Sequence, residues 1–177
     1  MNTANVAAIC GLTLLSTATG FSQLKAEQPN FSGTWTFDQM SPVVVANGQT
    51  VTVTRSNPDA CVPLKLVVHH SDVEFRTTTI SKCKNADGID VTTEKVRAYF
   101  TDGRGETNEF FENPLSESTT KQEGRTIVIS ILKTIGKNKS VEKTRKYGIS
   151  KKLDKLTIRD YRGEGRGFYL EYVFRRQ

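Results

Sequence analysis

The sequence predicts an all-β protein: an up-and-down antiparallel β-barrel of about 8–10 strands, with a two-sheet β-sandwich as the alternative. Three observations predict this class. Apolar and polar residues alternate from residue 31 to the C-terminus. Turn-forming pairs separate the alternating runs, and no helical run long enough to act as a crossover lies between them, so the connections must be antiparallel. Closing such a sheet removes its exposed edges, which favours the barrel.

The alternating runs follow one another at intervals of about 8 to 15 residues, a spacing typical of antiparallel strands. In chain order, the residues that share one face of each run are Phe31, Gly33, Trp35 and Phe37; Val51 and Val53; Leu64, Leu66 and Val68; Val73 and Phe75; Ile127, Ile129 and Ile131; Val141, Lys143, Arg145, Tyr147 and Ile149; Leu156, Ile158 and Asp160; and Phe168, Leu170, Tyr172 and Phe174. Residues 89–100 continue the pattern. Turns are predicted at Asn47-Gly48, Ser71-Asp72, Asp87-Gly88, Asp102-Gly103, Asn113-Pro114 and Gly136.

Residues 1–26 are predicted to be a secretory signal peptide, and residues 27–177 to form the single domain. The apolar run from Val6 to Leu15 is too short to cross about 30 Å of hydrocarbon at about 1.5 Å per residue. Small and polar residues follow it, which predicts cleavage between Gly20 and Ala26. No Lys or Arg precedes the run, so a buried N-terminal helix is the alternative. Export predicts a secreted or periplasmic protein with no transmembrane segment in the mature chain.

Two cysteines remain after the leader, Cys61 and Cys83. In an oxidising compartment an isolated pair predicts a disulfide bond, whereas two free buried thiols are expected if the chain is not exported. Two thiols without a nearby His or Cys cannot complete a zinc shell. The adjacent His69 and His70 point to opposite faces of a strand and cannot share an ion. We therefore predict no metal and no other cofactor.

The catalytic motifs that the sequence could carry are absent. No Gly-x-Ser-x-Gly turn occurs, and His69 and His70 are the only histidines that could act as a base for a nucleophile. The repeat Gly163-x-Gly165-x-Gly167 joins two strands and opens no helix, which predicts a hairpin and not a phosphate-binding loop. The sequence thus predicts a non-catalytic protein, with an enzyme that carries its chemistry on barrel loops as the alternative.

Charge is distributed unevenly along the chain, whose formal net charge is +6. Residues 121–177 hold sixteen Lys and Arg against six Asp and Glu, while residues 30–120 hold eight against twelve. A basic C-terminal face predicts either an anionic surface or polymer as partner, or an ordinary water-facing sheet. No platform of exposed aromatics is predicted beside it, which argues against nucleic acid. A surface-interaction or inhibitor module, acting through loops and this basic face, is the alternative function.

The leading prediction is a barrel that binds a small amphipathic or anionic hydrophobic ligand in its interior. Lys143 and Arg145 share a face with Tyr147, and buried cations need partners. The partner is either Asp160 on the next strand or the carboxylate or phosphate of a ligand, unless the basic residues lie at the wet rim or on the outer face. The predicted ligand-binding residues are Arg145, Tyr147, Lys143, Phe168, Leu170, Tyr172 and Ile129.

The segment from Asn30 to Trp35 (NFSGTW) resembles the Gly-x-Trp opening of lipocalin-type, or calycin, barrels, and most of all that of small secreted bacterial lipocalin-like proteins. The stretch YFTDG at residues 99–103 is similar to the central hairpin of that group, and KLTIRDY with FYLEYVFRR is similar to its closing strands. The resemblance implies that Trp35 and Gly33 close the barrel under an arginine of the last strand, Arg175 or Arg176. Arg145-x-Tyr147 resembles the carboxylate site of fatty-acid-binding barrels in spacing only, and Arg97-x-Tyr99 has the same spacing.

Overall fold

The structure is a computed structural model that describes residues 28–46, 49–52, 61–110, 113–135, 137–162 and 168–177. The predicted signal peptide, the turns at Asn47-Gly48 and Gly136, and the repeat of glycines at 163–167 lie outside the described residues. The strands are β1 Gly33–Ala46, β2 Gln49–Thr52, β3 Val62–His70, β4 Glu74–Lys84, β5 Asp90–Phe100, β6 Glu106–Phe110, β7 Asn113–Glu123, β8 Thr126–Ile135, β9 Asn138–Ile149, β10 Lys155–Arg162 and β11 Phe168–Arg176. Within these ranges no helix is long and apolar enough to cross a membrane.

Ten strands form one antiparallel sheet that curls into a nearly closed barrel, so the predicted fold class is confirmed. Their order is β5-β4-β3-β1-β11-β10-β9-β8-β7-β6, and β2 pairs with the far part of β1. The first and last strands of the chain meet, with Trp35 opposite Arg176 and Phe37 opposite Phe174. The two outermost strands of the path, β5 and β6, approach each other and close the wall through side chains, among them Asn108.

The barrel has a closed end, which is the end bordered by the turns at 71–73, 101–105, 124–125 and 150–154. Aromatic side chains fill it, and several meet edge to face. Phe75 lies at the centre, with ring centroids 5.6 Å from Phe31 and 5.0 Å from Tyr147. Such pairs contribute about 0.5–1.5 kcal/mol each beyond the apolar area that they bury. This end is therefore a packed core.

Trp35 anchors the closed end, but the arginine that covers it is Arg176 and not Arg175. The Trp35 Nε1–H donates to the Phe31 carbonyl oxygen at 3.2 Å, and the Arg176 guanidinium lies 4.7 Å from the ring centroid. Side chains on β11 alternate, so Arg176 shares the inner face of Phe174 while Arg175 points outward to Asp38. Gly33 has a φ of +143°, and a Cβ there would lie 3.6 Å from the Arg176 guanidinium.

Strands β6 and β7 were not predicted, and Asn113-Pro114 begins β7 where a turn was expected. The inner face of β7 carries hydroxyls in place of apolar groups: Ser116, Ser118 and Thr120 are all buried. A strand with a polar inner face has no apolar alternation, so the period-two signal fails there.

Two register shifts correct the predicted faces. Between Pro63 and Lys65 the pairing of β3 with β4 shifts by one residue, and Leu64 is exposed while Leu66 and Val68 are buried. The pairing of β8 with β9 shifts by one residue between Ile131, which is opposite Lys143, and Leu132, which is opposite Val141. Val141 therefore does not share the face of Lys143 and Arg145.

The predicted disulfide bond between Cys61 and Cys83 is formed, with the two Cα atoms 4.2 Å apart. Cys83 lies on β4, and Cys61 immediately precedes β3. The bond therefore links the chain at the start of β3 to the strand with which β3 pairs.

Candidate functional site

An ion pair between the buried Arg145 and the partly exposed Asp160 lies inside the barrel, one layer above the packed end. Arg145 of β9 is directly opposite Asp160 of β10, and its Nε and Nη2 donate to the two carboxylate oxygens at 2.5 and 2.7 Å. The same row continues from Ile129 on β8 to Leu170 on β11. Of the two partners that the sequence left open for Arg145, the structure provides Asp160.

The charge on Arg145 is secured by its surroundings. Burial lowers the pKa of the guanidinium, but Asp160 and the phenol of Tyr147 raise it, and the pKa stays well above its ordinary value. A two-bond contact between planar groups is also geometrically specific. Arg145 is therefore a permanent cation, neutralised by Asp160, at the border between the core and the rest of the barrel.

A second arginine, Arg97, is buried on the opposite wall. It lies on β5 opposite Thr77, whose side chain is fully buried, and its Nε donates to the Glu109 carbonyl oxygen at 2.7 Å. Arg97 is not among the ligand-binding residues that the sequence predicts, although the Arg-x-Tyr spacing at residues 97–99 was the available signal. The interior thus carries an arginine on each side.

Three tyrosines surround these arginines. Burial raises the pKa of Tyr99 well above its ordinary value, and Tyr147 beside it raises that pKa further. Burial, with the nearby Asp160 carboxylate, also raises the pKa of Tyr172. The phenols of Tyr99 and Tyr172 therefore stay protonated at neutral pH and can donate hydrogen bonds.

The predicted ligand-binding residues do not all line one space. Ile129 and Tyr147 are completely enclosed in the packed layers, and Arg145 is buried with Asp160. Exposure grows along the inner face of β11 from the buried Phe174, through the partly buried Tyr172 and Leu170, to Phe168 at 43%. Lys143, on the inner face of β9 next to Ile131, is also partly exposed. Accessible interior surface therefore begins at the level of the partly exposed Asp160 and extends towards Phe168.

The outer face of the basic half carries an aromatic pair that the sequence analysis did not expect. The rings of Tyr161 on β10 and Tyr169 on β11 lie 4.8 Å apart. Lys146 Nζ lies 5.2 Å from the Tyr161 ring centroid, and the Arg159 guanidinium lies 5.6 Å from that of Tyr169. The alternation of the two strands placed these rings on the outer face, so their pairing could have been found from register alone.

The part of the chain that the structure describes contains no cluster of side chains that could bind a metal ion. There, no three His, Cys, Asp or Glu side chains lie close enough together to hold an ion. The interior offers guanidinium, ammonium, phenol and hydroxyl groups beside apolar ones. Such a set can bind and orient a molecule that has both polar and apolar parts.

Comparison with known proteins yields similarity in overall structure alone. No protein-family model matches the chain, and no curated protein matches it. One similar solved structure is described as the REP1-NXSQ fatty acid transporter, at 10% identity over 82% of this chain and 95% of that one, with a TM-score of 0.49. Another is the fluorescent protein UnaG, at 16% identity over 83% and 97%, with a TM-score of 0.43. Similarity at these scores assigns no function to this chain, and the resemblance to secreted bacterial lipocalin-like proteins stays a prediction.

Proposed function

We propose that this protein binds a small amphipathic molecule in the outer half of its barrel, the half beyond the Arg145–Asp160 pair. The observation that carries the proposal is the gradient of exposure along one inner face, from the enclosed Phe174 to the 43% exposed Phe168. A barrel that is packed at one end and opens at the other leaves an apolar wall in contact with solvent. Covering that wall with the apolar part of a ligand gains about 25 cal/mol for each Å² removed from water.

The polar end of the ligand is proposed to lie towards Lys143. Arg145 is already neutralised by Asp160, and a ligand anion would have to displace a carboxylate that is fixed beside it. Lys143 lies one inner position further from the closed end and is accessible, and no ion pair of Lys143 occurs within the described ranges. We therefore place the anionic group of the ligand beside Lys143 on β9 and its apolar tail against Leu170 and Tyr172 on β11.

We also propose that the protein is exported and acts without catalysis. The support for export is the ten-residue apolar run followed by small residues, and the disulfide between Cys61 and Cys83 fits an oxidising compartment. Intact-mass measurement of protein from the periplasm or the medium tests this, since cleavage between Gly20 and Ala26 gives a defined loss of mass. A mass for the uncut chain contradicts export through this leader.

Ligand binding is tested with a fluorescent lipophile and its displacement by medium-chain fatty acids. The variant Leu170→Trp fills the proposed space, while Tyr169→Trp adds the same group on the outer face of the same strand. We expect Leu170→Trp to weaken binding at least tenfold, or about 1.4 kcal/mol, and Tyr169→Trp to leave it unchanged.

The variant Lys143→Gln tests whether the protein recognises the charge of the ligand's polar end. It should weaken the binding of fatty acids more than the binding of the corresponding alcohols. Native mass spectrometry of the purified protein adds an independent measurement. Failure of the wild-type protein to bind any of these compounds, with no co-purified molecule, overturns the proposal.

A further inference from the structure

A recess of about 480 Å³ lies on the outer surface of β8, β9 and β10, separate from the barrel interior. Its floor is a single cross-strand row, in which Gly148 is opposite Thr126 on one side and Thr157 on the other. The neighbours of Gly148 along β9, Tyr147 and Ile149, are buried in the core, so position 148 faces outward. Because glycine has no side chain, a gap remains between the two threonines. We call this recess the Gly148 groove.

Positive charge surrounds the floor on two sides. Lys146 and Arg159 form the adjacent cross-strand row, and Lys155 lines the groove nearer the closed end. No ion pair of Lys146 or Lys155 occurs in the parts of the chain that the structure describes. Arg159 is held in place by Glu171, whose Oε2 accepts from its Nε at 2.7 Å.

The carboxylate in the described lining belongs to Glu123, at the rim. Its charge is balanced by Lys121, whose Nζ lies 2.5 Å from Oε1. The groove as a whole therefore presents a positive potential around neutral hydroxyl groups, an arrangement that attracts anions and gives them hydrogen-bond donors.

We propose that the Gly148 groove binds an acidic polysaccharide through its sulfate or carboxylate groups. An anionic group above Gly148 can accept hydrogen bonds from the Thr126 and Thr157 hydroxyls while Lys146 and Lys155 approach from either side. The lining of β10 extends from Lys155 to Tyr161, about 20 Å at roughly 3.3 Å per residue, which suits an extended chain. This inference is independent of ligand binding inside the barrel.

The surroundings favour a glycan over a single-stranded nucleic acid. Nucleic-acid surfaces of this kind stack bases on free aromatic faces. The Tyr161 ring is already in contact with Tyr169, with ring centroids 4.8 Å apart, and with the Lys146 ammonium, 5.2 Å from its centroid. The phenol edges remain available for hydrogen bonds to sugar hydroxyls.

The shape of the site favours a glycan over a lipid surface. The threonine hydroxyls lie at the bottom of a recess, where a flat bilayer does not reach. Apart from Phe168 on the inner face of β11, the large exposed apolar side chains of the described residues, such as Val67 on β3 and Val96 on β5, belong to the other half of the barrel. A flexible, hydrophilic and negatively charged chain fits both features.

The test is titration calorimetry with heparin-derived oligosaccharides at about 0.1 M salt, where charge interactions are only partly screened. Gly148→Leu fills the floor without changing any charge, and the Cβ there meets its nearest atom, the Thr157 carbonyl oxygen, at 4.0 Å. We expect Gly148→Leu to weaken binding at least tenfold. Thr157→Val, which removes one hydroxyl at constant shape, should weaken it about three- to tenfold and serves if Gly148→Leu fails to fold.

Charge is tested by two matched double variants. Lys146→Gln with Lys155→Gln removes two charges from the groove, and Lys151→Gln with Lys152→Gln removes two from the exposed turn beside it. We expect a loss of at least tenfold for the first and less than threefold for the second. Equal losses, or wild-type affinity in folded Gly148→Leu or Thr157→Val, overturn the site. If oligothymidylate or phosphatidylglycerol vesicles bind more tightly than the heparin-derived oligosaccharides, and Gly148→Leu or Thr157→Val abolishes that binding, the occupant of the groove is not a glycan.

Discussion

The side-chain amide of Asn108 takes the place of a backbone pairing partner for Ala98. Its Oδ1 accepts a hydrogen bond from the Ala98 amide at 3.1 Å, and its Nδ2 donates to the Ala98 carbonyl oxygen at 2.8 Å. Phe100, two residues further along β5, donates its amide to the Glu106 carboxylate at 3.2 Å. Side chains of β6 therefore satisfy backbone groups of β5 that would otherwise be exposed at a sheet edge.

Asn108→Leu tests this closure. Leucine has a similar size but offers neither donor nor acceptor, so both backbone groups of Ala98 lose their partner. We expect the free energy of unfolding to fall by about 2 kcal/mol, since an unsatisfied buried group costs about 1–3 kcal/mol. Urea denaturation measures it. Thr107→Val, on the exposed face of the same strand, is the control, and equal midpoints for the two variants contradict the role given to Asn108.

A strand could be predicted from the sequence when the side chains on its inner face are apolar. The first part of β1 up to Phe37, β8 from Ile127 to Ile131, and β11 place apolar residues at every second position, and alternation alone identifies them. β7 places Ser116, Ser118 and Thr120 inward, where Ser118 and Thr120 donate to the Glu106 carboxylate at 2.6 and 2.8 Å. Their stability as inner residues depends on a carboxylate from another strand, and a pairing between distant residues leaves no local pattern.

The residues of the candidate site could likewise be predicted only where they share a face with alternating apolar residues. Tyr147 and Arg145 were found because Val and Ile share their strand, and Asp160 because it lies on the Leu156 and Ile158 face. The two register shifts were not predictable, because a bulge depends on how two strands fit together. Neither was the choice of Arg176 over Arg175, which the position of Phe174 on the inner face decides.

Removing one partner of the Arg145–Asp160 pair should lower the stability of the protein more than replacing both. Arg145→Met removes both charge-assisted hydrogen bonds of the partly exposed Asp160 carboxylate, and we expect a loss of about 1.5–3 kcal/mol in the free energy of unfolding. Adding Asp160→Leu to that variant should recover most of the loss, because two apolar groups then replace two charges. Urea denaturation of both single variants and the double variant forms the cycle. Additive losses contradict a coupled pair.

The cover over Trp35 predicts a difference between two neighbouring arginines. Arg176 lies over the indole and donates from Nη2 to the Ser32 carbonyl oxygen at 2.9 Å, whereas Arg175 pairs with Asp38 at the surface. Arg176→Ala should lower the free energy of unfolding by about 1–2 kcal/mol, through the lost cation–π contact and hydrogen bond. Arg175→Ala should cost less than about 1 kcal/mol. Thermal melts and Trp35 fluorescence distinguish the two, and a larger effect for Arg175→Ala reverses the assignment.

His70 predicts how stability changes between neutral and acidic pH. Its ring packs between Phe31 and Phe75, with centroids at 5.4 and 5.7 Å, and its Nδ1 accepts from the Phe31 amide at 3.5 Å. Burial lowers the pKa of His70 below 6.5, more than the negative charge of Asp72 raises it. The unfolded chain therefore takes up the proton first as the pH falls, and the contribution of His70 is complete above about pH 6.5 and lost towards its folded pKa.

A substitution of each histidine separates this effect from general acid denaturation. The free energy of unfolding, measured by urea denaturation between pH 7.5 and about pH 5, should fall less steeply for His70→Gln than for the wild type. His69→Gln changes an exposed ring on the other face of β3 and should keep the wild-type slope. Since carboxylates titrate mainly below this range, the difference between the two slopes reports His70. Parallel slopes for all three proteins would mean that the half-buried imidazole of His70 does not control this part of the profile.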